Sequence, residues 1–195
     1  MWSQTLAPYG LWSAITSDTS GRHLVAVQNY DSSANPGLIY ASSTYGNSWS
    51  STTAPSALWY AVSSSSSGQY VVAVQWNNSP VSSIYTSSDY GGHWTISTGV
   101  PTTAWQCVTT DSSGQYLAAT NSPRIPGHIY ISSSYGSSWT RSSAPLANWY
   151  SIASDSTGRF LIAGQGGQRE SNTPGYIYTY SGYLSLIFSC FVTSY

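Results

Sequence analysis

Four carboxamide side chains stand at one place in a repeating frame. Gln28, Gln75, Asn121 and Gln165 each close a short apolar run, in "LVAVQ", "VVAVQ", "LAATN" and "LIAGQ". A carboxamide offers two N–H donors and an acceptor oxygen, so it answers both halves of a hydroxyl group. Four of them around a shared axis make a neutral polar mouth. Asn29, Tyr30, Trp76, Asn77 and Arg124 follow directly, and Tyr30 and Trp76 add flat apolar faces suited to stacking on a sugar ring. The ligand-binding set expected from the sequence is therefore Gln28, Gln75, Asn121, Gln165, Tyr30, Trp76 and Arg124. The competing reading is that each amide closes off its strand by bonding the backbone of a neighbouring repeat.

Acid, base and metal chemistry is thinly supplied. There are six carboxylates, three histidines, five arginines and no lysine. Asp18, Asp111 and Asp155 recur in "SDTSG", "TDSSG" and "SDSTG", where an aspartate caps a tight turn by accepting local N–H groups. Only Asp31 and Glu170 fall in the loops that follow the carboxamides, and that pair is the sole route to a two-carboxylate glycosidase. His23, His93 and His128 do not cluster. Cys107 aligns with the small residues Ala14, Ala61 and Ser151, which marks it as packing, and Cys107 and Cys190 have no metal-ligand spacing. No catalytic residue, metal or cofactor is expected.

A net charge of −1 with 6% charged residues leaves no basic stripe for a phosphate backbone, so nucleic acid is not a partner. The longest apolar run, "YLSLIFSCFV", has about half of the ~20 residues a membrane-spanning helix needs, and no membrane insertion is expected. Nothing after Met1 reads as a secretory leader. Serine, threonine, tyrosine and tryptophan carry the polarity, which suits uncharged ligands at an extracellular or cell surface.

The elements that hold these residues are read from a repeat. Trp49, Trp94 and Trp139 are spaced by 45 residues, and Trp12, Trp59, Trp105 and Trp149 by 47, 46 and 44. Periods of this size belong to propellers and repeat arrays. Each repeat holds an alternating strand a ("LWYAVSSS"), a polar turn ending in glycine, and a continuous apolar strand b ("QYVVAVQ"). A variable loop and a hairpin of strands c and d around "SDYGG" complete it. The expected fold is all-β and propeller-like, one domain of four four-stranded blades at about 7–52, 53–98, 99–143 and 144–195. The last blade lacks the hairpin, and Met1–Leu6 is expected to complete it as strand d, because Trp2 precedes Trp12 by the ten residues that separate Trp49 from Trp59. Assembly of two chains into a larger ring is the alternative.

Within that frame, Ser87, Asp89, Gly91 and Trp94 resemble the Asp-box, or BNR, repeat of sialidase-like propellers. The resemblance implies that the motif lies in the c–d turn, away from the active face, with its aspartate tying the turn to itself. Thr44 and Ser134 stand at the aspartate position in the other copies. A sialidase also implies an arginine cluster and a tyrosine nucleophile with an acidic partner. Here Arg22 and Arg159 lie at a–b turns and Arg141 in strand d, which leaves only Arg124 and Arg169 on the opposite loops. The function expected is thus a non-enzymatic module binding carbohydrate or another neutral ligand or protein through its b–c loops. The alternative is a structural repeat of a larger surface assembly, and a sialidase-like hydrolase ranks third.

Overall fold

The structure, a computed structural model, describes residues 1–31, 35–76, 82–121, 126–166 and 175–182. Arg124, Arg169, Glu170, Cys190, Asn77 and the apolar run at 183–192 lie outside the described residues.

Four antiparallel sheets follow one another along the chain. The first holds β1 (Gly10–Ser17), β2 (Leu24–Asp31), β3 (Ile39–Ser42) and β4 (Ser50–Ser51). The second holds β5 (Trp59–Ser64), β6 (Val71–Gln75), β7 (Ile84–Ser87) and β8 (Thr95–Ile96). The third holds β9 (Trp105–Thr110), β10 (Leu117–Asn121), β11 (Ile129–Ser132) and β12 (Thr140–Arg141). The fourth holds β13 (Trp149–Ser154), β14 (Phe160–Gln165) and β15 (Ile177–Ser181). Strands are ordered in space as in sequence, so the first three sheets are meanders from strand a to strand d and the fourth runs from a to c among the described residues. Strands β1, β5, β9 and β13 pack on one another in succession, which makes them the inner strands of an arc of blades.

The core lies between blades. One layer joins Val25, Val27 and Ile39 of the first blade to Trp59, Val62, Val71 and Ala73 of the second. The next joins Val72, Val74 and Ile84 to Trp105, Val108 and Leu117, and the third joins Ala118 and Ile129 to Trp149, Ile152 and Leu161. The continuous apolar runs of β6 and β10 are explained by this, since both strands are covered on both faces, whereas β14 leaves Phe160 and Ile162 in solvent. The c–d turns need left-handed backbone at two consecutive residues. Glycine supplies one, but Tyr45, Tyr90 and Tyr135 supply the other at φ of 56°, 63° and 56°. That strain, on the order of 1–3 kcal/mol for a non-glycine residue, is held by the surrounding turn.

The fourth blade departs from expectation. It has three strands among the described residues, and Met1–Leu6 is not its fourth. No strand occurs before Gly10, Trp2 is fully exposed, and Thr5 and Ala7 lie instead against Trp12, Leu24 and Trp49 of the first blade. The cause is the openness of the arc. The outward faces of the first and last blades, with Ile15 and Ile162 among their residues, remain in solvent. A segment joined directly to β1 therefore stays beside β1.

Candidate functional site

Each inner strand carries one extra residue next to its tryptophan. Trp59 pairs with Gln75 and Ala61 with Val74, so Tyr60 has no partner across the ladder. Ser13, Gln106 and Tyr150 are left out in the same way, opposite Gln28, Asn121 and Gln165. The bulge has a packing reason. Two residues apart, Trp59 and Ala61 would share a face of a regular strand. The insertion instead puts Trp59 with Val62 against the first blade and turns Ala61 toward the third.

The bulged side chains stand apart from the apolar layers between blades and bond across them instead. Tyr60 stacks on Trp76, ring centroids 5.9 Å apart and planes at 30°. The Gln106 Nε2 donates to the Tyr60 hydroxyl at 3.4 Å, bracing that ring from the next blade. Ser13 donates to Val27 O at 3.1 Å and Trp59 O at 2.8 Å. Tyr150 is half exposed and lies across Gly166, where any Cβ would collide with its ring. These residues, with Trp76 heading its b–c loop, form an aromatic and hydroxyl rim along the inner edge of the b–c face. Sequence reasoning missed Tyr60, Gln106 and Tyr150. The available signal was the variation after an unvarying tryptophan, as Ser13, Tyr60, Gln106 and Tyr150.

The carboxamides do occupy one blade position, but their oxygens serve their own blades. The Gln75 Oε1 accepts the Ser83 N–H at 3.2 Å, and the Asn121 Oδ1 accepts the His128 N–H at 2.5 Å. The Gln165 Oε1 accepts the Tyr178 hydroxyl at 3.3 Å. Gln28 is enclosed between Gly10 and Gly37, where no Cβ would fit, and its Nε2 is buried without a partner. Gln75, Asn121 and Gln165 thus seal the start of their own b–c loops, each bonding a residue of its own blade rather than the neighbouring one. Tyr30 is half buried at the end of β2, opposite Leu11 and bridged to Pro36. The structure brings Trp76 to Tyr60 rather than to Tyr30.

Asp18, Asp89, Asp111 and Asp155 lie at the other end of the blades. The Asp89 Oδ1 accepts the Ser87 hydroxyl and the His93 N–H, both at 2.8 Å, and its Oδ2 faces the His93 Nδ1 at 2.5 Å. Burial pushes this carboxyl up, but the His93 N–H, the His93 ring and the Ser87 hydroxyl together hold it below its ordinary value. The turn clamp expected from the sequence is therefore present. The Thr44 Oγ1 and Ser134 Oγ make the equivalent bonds to Ser48 N and Ser138 N at 2.9 and 3.0 Å. In the a–b turns, Asp111 and Asp155 accept the Tyr116 and Phe160 N–H groups at 3.0 Å. Asp18 pairs with the His23 ring at 2.8 Å; burial raises its carboxyl, and the bonds from His23 and Ser20 bring it net below its ordinary value. Among the described residues, no three metal-ligating side chains come together.

No family model matches the sequence, and no curated relative is found for it. Solved structures match at low identity. A GH74 enzyme from Niastella koreensis superposes with a TM-score of 0.67 at 18% identity, over 87% of this chain and 28% of that one. YCF48 bound to D1 peptide gives 0.61 at 12%, over 90% and 53%. The β-propeller domain of Myceliophteria thermophila Cps50 (Swd1) gives 0.62 at 17%, over 87% and 50%. The chain thus spans about half or less of these proteins. It has a β-propeller-like fold, and the likeness extends to the fold alone.

Proposed function

We propose that this chain is a non-catalytic binding module that takes an uncharged ligand, carbohydrate in the first reading, on the inner rim of its b–c face. The observation that carries this is the Tyr60–Trp76 stack, held out by a bulge and braced by Gln106. A flat aromatic surface covers the apolar side of a sugar, while the Tyr150 and Ser13 hydroxyls offer polar partners to its hydroxyl groups. Asp18, Asp89, Asp111 and Asp155 are each engaged in an a–b or c–d turn, at the opposite end of the blades from this rim. A surface of this neutrality fits an extracellular or cell-surface setting.

A second reading has its own support. YCF48, which shares the fold, is seen with a bound peptide. An uncharged peptide of a protein partner would meet the same aromatic rim. The test is a glycan array run beside an array of uncharged peptides on the folded protein, followed by Trp76→Ala. The variant is expected to lose at least tenfold in affinity for any hit while its melting temperature holds. Affinity unchanged in Trp76→Ala, or no hit on either array, would overturn the assignment.

A further inference from the structure

We propose that two copies of this chain assemble head to tail into a closed eight-bladed ring, in which Met1–Leu6 of one copy becomes the fourth strand of the other copy's last blade. This goes beyond the ligand reading and does not depend on it.

The two open faces are the two halves of an internal junction. At each junction the leading blade presents the positions of Val72, Val74 and Ile84, and the following blade those of Trp59, Val62, Val71 and Trp94. On the fourth blade the leading positions are Ile162, Gly164 and Ile177. On the first blade the following positions are Trp12, Ile15, Leu24 and Trp49. Ile162 and Ile177 are 48% and 74% exposed, and Trp12 and Ile15 are 39% and 63%. Apolar residues sit in the right places on both, and nothing described covers them. An occupant that fits one face must carry the other, and a second copy does.

Polar groups point the same way. The a–b turns are linked in one direction: Thr19 N donates to Ser66 O at 2.9 Å, Ser66 N to Ser112 O at 2.9 Å, and Ser112 N to Ser156 O at 3.1 Å. The hydroxyls of Thr19, Ser66 and Ser112 follow the same path. The series ends with exposed Ser156 as a donor and exposed Thr19 as an acceptor. Aromatic pairs cross the inner junctions too, His23 with Tyr90 at 4.3 Å and Tyr70 with Tyr135 at 4.5 Å. Phe160 and Tyr45 hold the corresponding ends and are 55% and 63% exposed.

The third and independent observation is a cavity of about 210 Å³ between the third and fourth blades, lined by Ile129, Ile131, Ala144, Ile152, Leu161 and Tyr178. In the two earlier junctions the indoles of Trp94 and Trp139 occupy that place. Among the described residues the fourth blade has no such tryptophan and no strand pairs with the outer edge of β15, whereas Trp2 is fully exposed. The other blades pair the two residues after the tryptophan with strand c, as Thr95 with Thr86 and Ile96 with Tyr85. That register places Ser3 opposite Thr179, Gln4 opposite Tyr178, and the Trp2 indole in the cavity. Strand addition at such an edge satisfies backbone groups and seats alternate side chains in pockets. Four blades from each of two chains make eight, within the common size of propellers, and closure covers both open blade faces and leaves only short outer edges.

The mass of the full chain in solution is expected to be twice 20.9 kDa. A monomer at micromolar concentration, or an open-ended polymer, would overturn the closed ring. Ile15→Glu and Ile162→Glu are each expected to give folded monomers, because each spoils both junctions. Mixed together, they should recover one intact junction and return an open dimer. Failure of the mixture to associate, or a dimer surviving either substitution, would refute head-to-tail pairing. Deletion of residues 1–6 should weaken dimerisation at least a hundredfold and leave the blade spectrum intact. An unchanged dissociation constant would remove the strand exchange.

Discussion

Trp105 and Trp12 hold the same place in their blades, yet the first is fully enclosed and the second is 39% exposed. Both strands carry the same bulge, and both indoles meet a tyrosine of strand c edge-on, Tyr130 at 5.4 Å and Tyr40 at 5.6 Å. What differs is the preceding blade. Val72, Val74 and Ile84 cover Trp105, whereas among the described residues Trp12 has no preceding blade, and Thr5 and Ala7 line the same open cavity with it. A blade therefore does not bury its own tryptophan; its neighbour does. Stability in such an array resides in the interfaces as much as in the units.

The comparison is tested most severely by removing both indoles. Trp105→Ala should cost about 3–5 kcal/mol, as large aromatic truncations in a packed core do. Trp12→Ala should cost about 1 kcal/mol in the dissociated chain, since much of its surface already meets water. Equal losses in denaturant titrations would break the distinction between inner junction and open end. A smaller effect comes from the turn glycines, Gly136 at φ 80° and Gly46 at φ 81°. Alanine is strained at both by about 1 kcal/mol. At Gly136 the new Cβ would also lie 2.5 Å from Thr86 Cγ2 of the preceding blade, whereas at Gly46 its nearest neighbour is the movable Leu24 Cδ1 at 3.3 Å. Gly136→Ala should therefore lose about 1–3 kcal/mol more than Gly46→Ala, read as the difference in their melting curves.

The smallest effect concerns the clamp. Asp89→Ala should cost about 1 kcal/mol, and Asp89→Ser less, because Thr44 and Ser134 already close the equivalent turns with hydroxyls. Asp89 also has a pH signature. Its carboxyl is held below the ordinary 3.8, so the folded chain binds fewer protons there than the unfolded one. The stability it adds is complete above the unfolded value and is lost as pH falls through the lowered one. Between about pH 5 and pH 2 the native chain should thus lose more stability than Asp89→Ser, by thermal melts across that range. Parallel curves would show that the clamp is not ionic.

The strands and turns were legible because they rest on local chemistry. Valine runs, glycine at left-handed positions, and an aspartate with a serine two residues before it each determine a few residues of backbone. The bulge was not, since its one trace in the sequence is the variation at Ser13, Tyr60, Gln106 and Tyr150, which does not by itself tell an inserted residue from an exposed one; the change of partner between Trp59 and Ala61 reveals it. The carboxamides were located correctly along the strand, but which way an amide turns depends on the Ser83 or His128 N–H that waits across the loop. Strand d of the last blade was read from Trp2 as a type of strand. The structure shows no strand before Gly10, because a tryptophan spacing does not decide whether a terminal segment reaches the blade it resembles. Arg124 and most of the b–c loops fall outside the described residues.

The one-way links between a–b turns bear on how such a chain changes length. Thr19 hands its N–H to Ser66, Ser66 to Ser112, and Ser112 to Ser156, and every step uses the same donor and the same acceptor. A repeat copied into the middle of the series would find its acceptor ahead and its donor behind already in place. Both ends of the chain would be left chemically as they were. Blade number is then a quantity that gene duplication can add to or subtract from in whole units, with no new interface to invent.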